Sequence, residues 1–186
     1  MVKCNYFDKL EKLSLLSESA VLIACSEGMR GDMTEIRLSC DRLVCETEDA
    51  LFSDFIPPME RDNIAAAAHT LSRVVDKAYE LISDGAGNSP AMNKNEEAKI
   101  CIKLSEELSS HISLLKKIRK PGELPDLQGF RRLLCDGRSA HKRMVCRLRS
   151  GALPRSYAET VILTGRLRSE LSLAFDEIVE IMLNNI

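Results

Sequence analysis

Apolar residues return at every third or fourth position along almost the whole chain, the spacing of helix faces buried against one another. The first stripe is Phe7, Leu10, Leu13, Leu16, Ala20 and Ile23, and Gly28 beyond it suits the left-handed position that follows a helix. The second opens at Asp32, whose carboxylate can accept the amide proton of Glu35 while Glu35 reaches back, and runs through Ile36, Cys40, Leu43, Ala50 and Leu51 to Phe55. Pro57 and Pro58 stop it, since proline lacks an amide donor and drives the residue before it out of helical geometry. A third stripe follows at once: Ile64, Ala67, Leu71, Val74, Ala78 and Leu81.

The segment DGAGNSPAMNKN, within 84–95, is rich in glycine and asparagine and reads as the longest loop. Beyond it a fourth stripe (Cys101, Leu104, Leu108, Ile112, Leu115, Ile118) closes at Pro121 and Gly122. A fifth (Leu127, Phe130, Leu134, Met144, Leu148) is weakened by Gly129 and Gly137 and ends near Gly151. The sixth begins after Pro154 and carries Tyr157, Val161, Leu167, Leu171, Ala174, Ile178 and Ile181. Six helices with short corners predict an all-α antiparallel bundle in one domain over 1–186. Two three-helix halves, about 6–83 and about 96–184, sit on either side of the loop. HTLSRVVDKAYELI (69–82) aligns without gaps on SELSLAFDEIVEIM (169–182), matching Leu71 with Leu171, Ser72 with Ser172, Asp76 with Asp176 and Glu80 with Glu180; this predicts an internal repeat.

Composition narrows the choice of partners. With 26 basic and 28 acidic side chains the net charge is −2, so no global field draws the chain to nucleic acid or to a membrane, and any such contact needs a local patch. The seven cysteines include no C-x-x-C pair and follow no signal-like apolar core; they are expected to be reduced, cytoplasmic and mostly packed in the interior. No apolar run is long enough to span a bilayer.

The one local patch lies on the fifth helix. Arg131, Arg132, Arg138, Lys142, Arg143, Arg147 and Arg149 stand there with Asp136 as the only acid between 131 and 149. Spacings of seven, four and seven bring Arg131, Arg138, Lys142 and Arg149 onto one helical line, which suits a partner's loops, phosphate groups or anionic headgroups as well as plain solvation. No aromatic residues are interleaved with it, which argues against single-stranded nucleic acid. His69, His111 and His141 lack a local metal-binding partner and are expected to be structural. No nucleophile elbow, Walker loop or dinucleotide fingerprint occurs, so the chain is not expected to be an enzyme.

The segment DRLVCETEDALFSDFIPPMERDNIAAAAHTLSRVVDKAYELI resembles the hallmark of the PhoU-like family of Pit accessory proteins, which accompany inorganic phosphate transporters. Asp41 stands fourteen places before Phe55, Leu51 falls at the family's leucine, and Glu60-Arg61-Asp62-Asn63-Ile64 matches its helix start; the likeness is specific over about 36–82. It implies a PhoU-like fold of two three-helix repeats and a non-enzymatic, cytoplasmic role in phosphate uptake. The implied partner is an inorganic phosphate transporter or an associated signalling protein, with membrane contact only through that partner, no nucleic acid, and homo-oligomerisation open.

Relatives hold metal ions on an acid and an aspartate four residues apart. This chain has Ser72 before Asp76 and Ser172 before Asp176, and Arg138 at the second-half counterpart of Asp41. Asp76 with Glu80, and Asp176 with Glu180, remain i,i+4 pairs of hard oxygen ligands. A site shifted by one turn, with Asp41 as a further ligand, would hold a divalent or iron-type ion. The alternative function is therefore a metal-binding or metal-dependent phosphoester-handling protein, which requires those carboxylates to converge. Without convergence they are solvated surface acids.

Overall fold

The computed structural model describes residues 6–26, 31–53, 61–84, 95–115, 117–118 and 124–184. It consists of α1 (Tyr6–Cys25), α2 (Met33–Ser53), α3 (Arg61–Ser83), α4 (Glu96–Leu114), α5 (Leu127–Arg149) and α6 (Ala158–Asn184), with a 3-10 turn (Arg155–Tyr157) leading into α6. Among the described residues there is no strand. The Phe55 to Glu60 corner and most of the 84–95 loop lie outside the described residues, as does Gly28.

Helix starts follow local chemistry. Asp32 accepts the Glu35 amide at 3.0 Å, as expected for the opening of α2. Asn95 and Asp126 start α4 and α5 in the same way, each taking up backbone N–H groups that have no partner within the helix. At the other end of α5, Gly151 adopts φ 74° and donates its N–H to the Leu148 carbonyl, a conformation a side chain would strain. One expectation needs correction. The fourth helix ends at Leu114 and its stripe is completed by turns, in which Leu115 and Ile118 are still buried. The fifth runs from Leu127 to just before Gly151 as its stripe predicts, unbroken over 23 residues with both glycines inside it.

Four helices close a ring, with α1 against α3, α3 against α6, α6 against α4 and α4 against α1. Outside it, α2 lies on α1 and α3, and α5 lies on α4 and α6. Exchanging α1, α2 and α3 for α4, α5 and α6 leaves this set of substantial packing pairs unchanged. Cross-helix pairs fix the directions: Lys9 early in α1 meets Glu46 late in α2, Arg37 early in α2 meets Asp76 late in α3, and Glu96 opening α4 meets Arg143 late in α5. Consecutive helices are therefore antiparallel wherever such a pair joins them.

The ring is filled by one continuous cluster, including Leu10, Leu13, Leu71, Leu104, Leu108, Leu167, Leu171 and Phe175. Fully burying each such side chain contributes roughly 1.5–3 kcal/mol. Small residues let the helices come close: Ser17 donates to the Leu71 carbonyl at 3.0 Å and Ser109 to the Ser14 carbonyl at 3.3 Å. At one end Phe130 and Phe175 stack at 3.8 Å, with His111 edge-on to both rings.

The thiols divide more evenly than expected. Cys25, Cys40 and Cys101 are buried, whereas Cys45, Cys135 and Cys146 are exposed. Burial pushes the Cys25 thiol up to about 12, and the negative charge of Glu97 adds to this. Cys101 is raised well above 9.0, again chiefly by burial. Because the thiolate is the reacting species, maleimide should label Cys45, Cys135 and Cys146 promptly in the native protein. Cys25 and Cys101 should react only after denaturation. Peptide mapping of labelled protein checks this, and native labelling of Cys101 as fast as Cys135 would contradict the packing described.

Candidate functional site

The carboxylates that the sequence offers as metal ligands are not brought together. Asp76 receives Arg37 Nε at 2.8 Å, and the Arg37 guanidinium also lies 5.1 Å from the Tyr79 ring centroid. Glu80 is held by Lys77 at 2.6 Å. Asp41, Asp176 and Glu180 stand exposed. Among the described residues no group of three or more His, Cys, Asp or Glu side chains is placed to share a metal ion. Ser72, where the resemblance calls for an acid, stands beside the buried Cys40 thiol instead and offsets part of the rise that burial gives it. The donor set does not fit a metal: each paired acid on α3 is already neutralised by a cation of this chain, and those on α6 face solvent.

The cleft at these residues is correspondingly balanced. About 450 Å³ in volume, it is lined by Arg37, Arg73 and Lys77 and by Asp76, Glu80 and Asp84, so it presents no excess of either sign.

A polar cluster that the sequence reading did not assemble sits between α4, α5 and α6. Glu97, in the first turn of α4, has no exposed side-chain surface; it takes Arg168 Nε at 2.8 Å and binds His141 Nδ1 at 2.9 Å. Arg168 is only 12% exposed and His141 29%. Two glycines make the room. A Cβ on Gly165 of α6 would come within 2.7 Å of the His141 ring, and one on Gly137 of α5 within 2.7 Å of Arg168 Cδ. Asn95 extends the cluster by donating to Thr164 Oγ1 at 3.1 Å, while Thr164 donates to the Thr160 carbonyl. A signal for it does exist in the sequence. Glu97 is in phase with Cys101, Leu104 and Leu108, so a carboxylate occupies a buried stripe and requires a cation there.

This cluster decides which cations of α5 are committed. Its inner side gives His141 to Glu97, and Arg143 reaches Glu96 at 2.7 Å, a contact that holds the Glu96 carboxyl below its usual range. The outer side keeps Arg131, Arg138, Lys142 and Arg149, all four exposed. None of the four has an ion-pair partner among the described residues. At 1.5 Å per residue the line is about 27 Å long. It forms the most concentrated charge on the molecule: α5 has seven Lys and Arg against Asp136, a net of +6, in a chain whose total is −2.

Each of the remaining histidines has a partner within the chain. His69 bridges to Glu48 on α2 at 2.9 Å, and His111 is buried, with its Nδ1 at the Glu107 carbonyl. Among the described residues no helix is long and apolar enough to cross a membrane. Compared with protein-family models, with curated proteins and with solved structures, the chain shows no match. The functional reading therefore rests on the residues and their geometry.

Proposed function

We propose that the chain is a PhoU-like accessory or regulatory protein of inorganic phosphate transport, acting from the cytoplasmic side through helix faces and without catalysis. The observation that carries this reading is the packing scheme, in which two sets of three helices take interchangeable places. The aligned segments 69–82 and 169–182 fall on α3 and α6, the pair that such an exchange swaps and that packs face to face. The motif over 36–82 supplies the link to phosphate transport. Asp62, in the first turn of α3, then serves to favour the positive end of that helix rather than to do chemistry. The metal-dependent alternative has no observation in its favour, because its acids are paired or dispersed.

The test is uptake of radiolabelled inorganic phosphate by cells that lack this chain and by the same cells complemented with it. Loss of the chain is expected to change the uptake rate severalfold, and complementation to restore it. An unchanged rate at both limiting and abundant phosphate would remove the proposal.

A further inference from the structure

The outer line of α5 is oriented and uncommitted in a way that a merely solvated helix face need not be. We propose that it is a docking face for an anionic phospholipid surface. The ring and the Glu97 cluster hold the helix by its inner side, so Arg131, Arg138, Lys142 and Arg149 are presented along one edge of a rigid bundle. The line lies lengthwise on the flank, and all four cations can therefore touch a flat sheet of headgroups at once. A curved duplex would meet such a straight line only where its backbone crosses it. Three of the four are arginines, whose planar forks match phosphate oxygens.

Charge elsewhere favours one orientation. The chain outside α5 carries a net −8, the difference between −2 and +6, and α2 on the opposite flank has five acids against Arg37 and Arg42, a net of −3. At physiological salt a charge acts over roughly 8 Å, well short of the breadth of the bundle, so the attraction at α5 is felt locally and the acidic flank is not. Only this face should bind.

The inference departs from the expectation that the chain meets a membrane only through its partner; it extends the proposed function by saying how an accessory protein reaches the membrane, yet it can be tested apart from it. Purified full-length chain is sedimented with vesicles of phosphatidylcholine alone or doped with phosphatidylglycerol. Binding is expected only to the doped vesicles and should fall steeply with added salt. Each Lys or Arg near an anionic surface contributes about fivefold in partitioning, so R131Q/R138Q/K142Q/R149Q should bind several-hundredfold more weakly. Thermal melting should be unchanged, because the four side chains are exposed and form no ion pair with any described residue. K12Q/R42Q/K103Q/K117Q, which removes the same charge from exposed positions elsewhere, should keep most of the affinity.

Failure to bind doped vesicles would overturn the inference. So would equal losses in the two quadruple variants, which would show that net charge and not this face matters, and so would retention by duplex DNA where vesicles fail. Because the vesicles contain no transporter, vesicle binding without an effect on phosphate uptake would refute the proposed function alone. The reverse result would refute the docking face alone.

Discussion

Replacing Glu97 with alanine is expected to cost about 3–5 kcal/mol of stability. The carboxylate is fully buried and binds Arg168, itself 12% exposed, from a different helix. Removing it leaves a guanidinium in the interior with no counter-charge, and the loss is the desolvation of that cation more than the value of the pair. Urea denaturation of wild type and variant measures it. Replacing both partners, as E97L/R168M, should recover most of the loss, because an apolar pair of similar volume has nothing to desolvate. A cost under about 1 kcal/mol for E97A would mean that water reaches the cluster and that the cluster is not a clamp.

Gly165→Ala is expected to destabilise by about 2 kcal/mol, although alanine is the better helix former by about 1 kcal/mol. The new methyl would lie 2.7 Å from His141 Cε1 and 2.9 Å from Nδ1, the same nitrogen that Glu97 holds at 2.9 Å. The ring cannot retreat from the methyl without leaving the carboxylate. Gly129→Ala on α5 is the control, since nothing lies within 4 Å of the added carbon; there the entropic advantage acts alone and the variant should be stabilised by up to about 1 kcal/mol. Denaturation midpoints moving in opposite directions for the two variants are the expected result. Both moving upward would show that α6 has slack at Gly165. In the background of His141→Ala the Gly165 penalty should shrink, the non-additivity of two groups in contact.

Much of the architecture was legible because burial imposes its period on the chain. Leu10, Leu13, Leu71, Leu104 and Leu171 are each fully or almost fully buried, as their spacing requires. Gly137 of α5 has a purpose that the sequence did not show. Read alone, Gly137 weakens a helix; in the bundle it is the gap that Arg168 occupies, and a tertiary contact outweighs a propensity of about 1 kcal/mol. For the acids, spacing left two outcomes open. Asp76 and Glu80 do share a face, but the cation that neutralises Asp76 comes from α2, and no spacing within α3 announces it. The Glu97 cluster joins residues 44 and 71 positions apart, beyond the reach of any local motif. The outer line of α5 was found because it is a property of one helix and of one period.

The arrangement of two outer helices on a ring of four has a bearing on how such a chain can change over generations. α2 and α5 hold equivalent places, yet one has a net charge of −3 and the other +6. They make no substantial contact with each other, and each touches the ring along one side only. Either flank is therefore free to exchange its outward residues without renegotiating the interior or the opposite flank. Divergence of surface chemistry between two halves of one fold costs little when the residues that keep it folded and the residues that meet partners occupy different sides of the same helix.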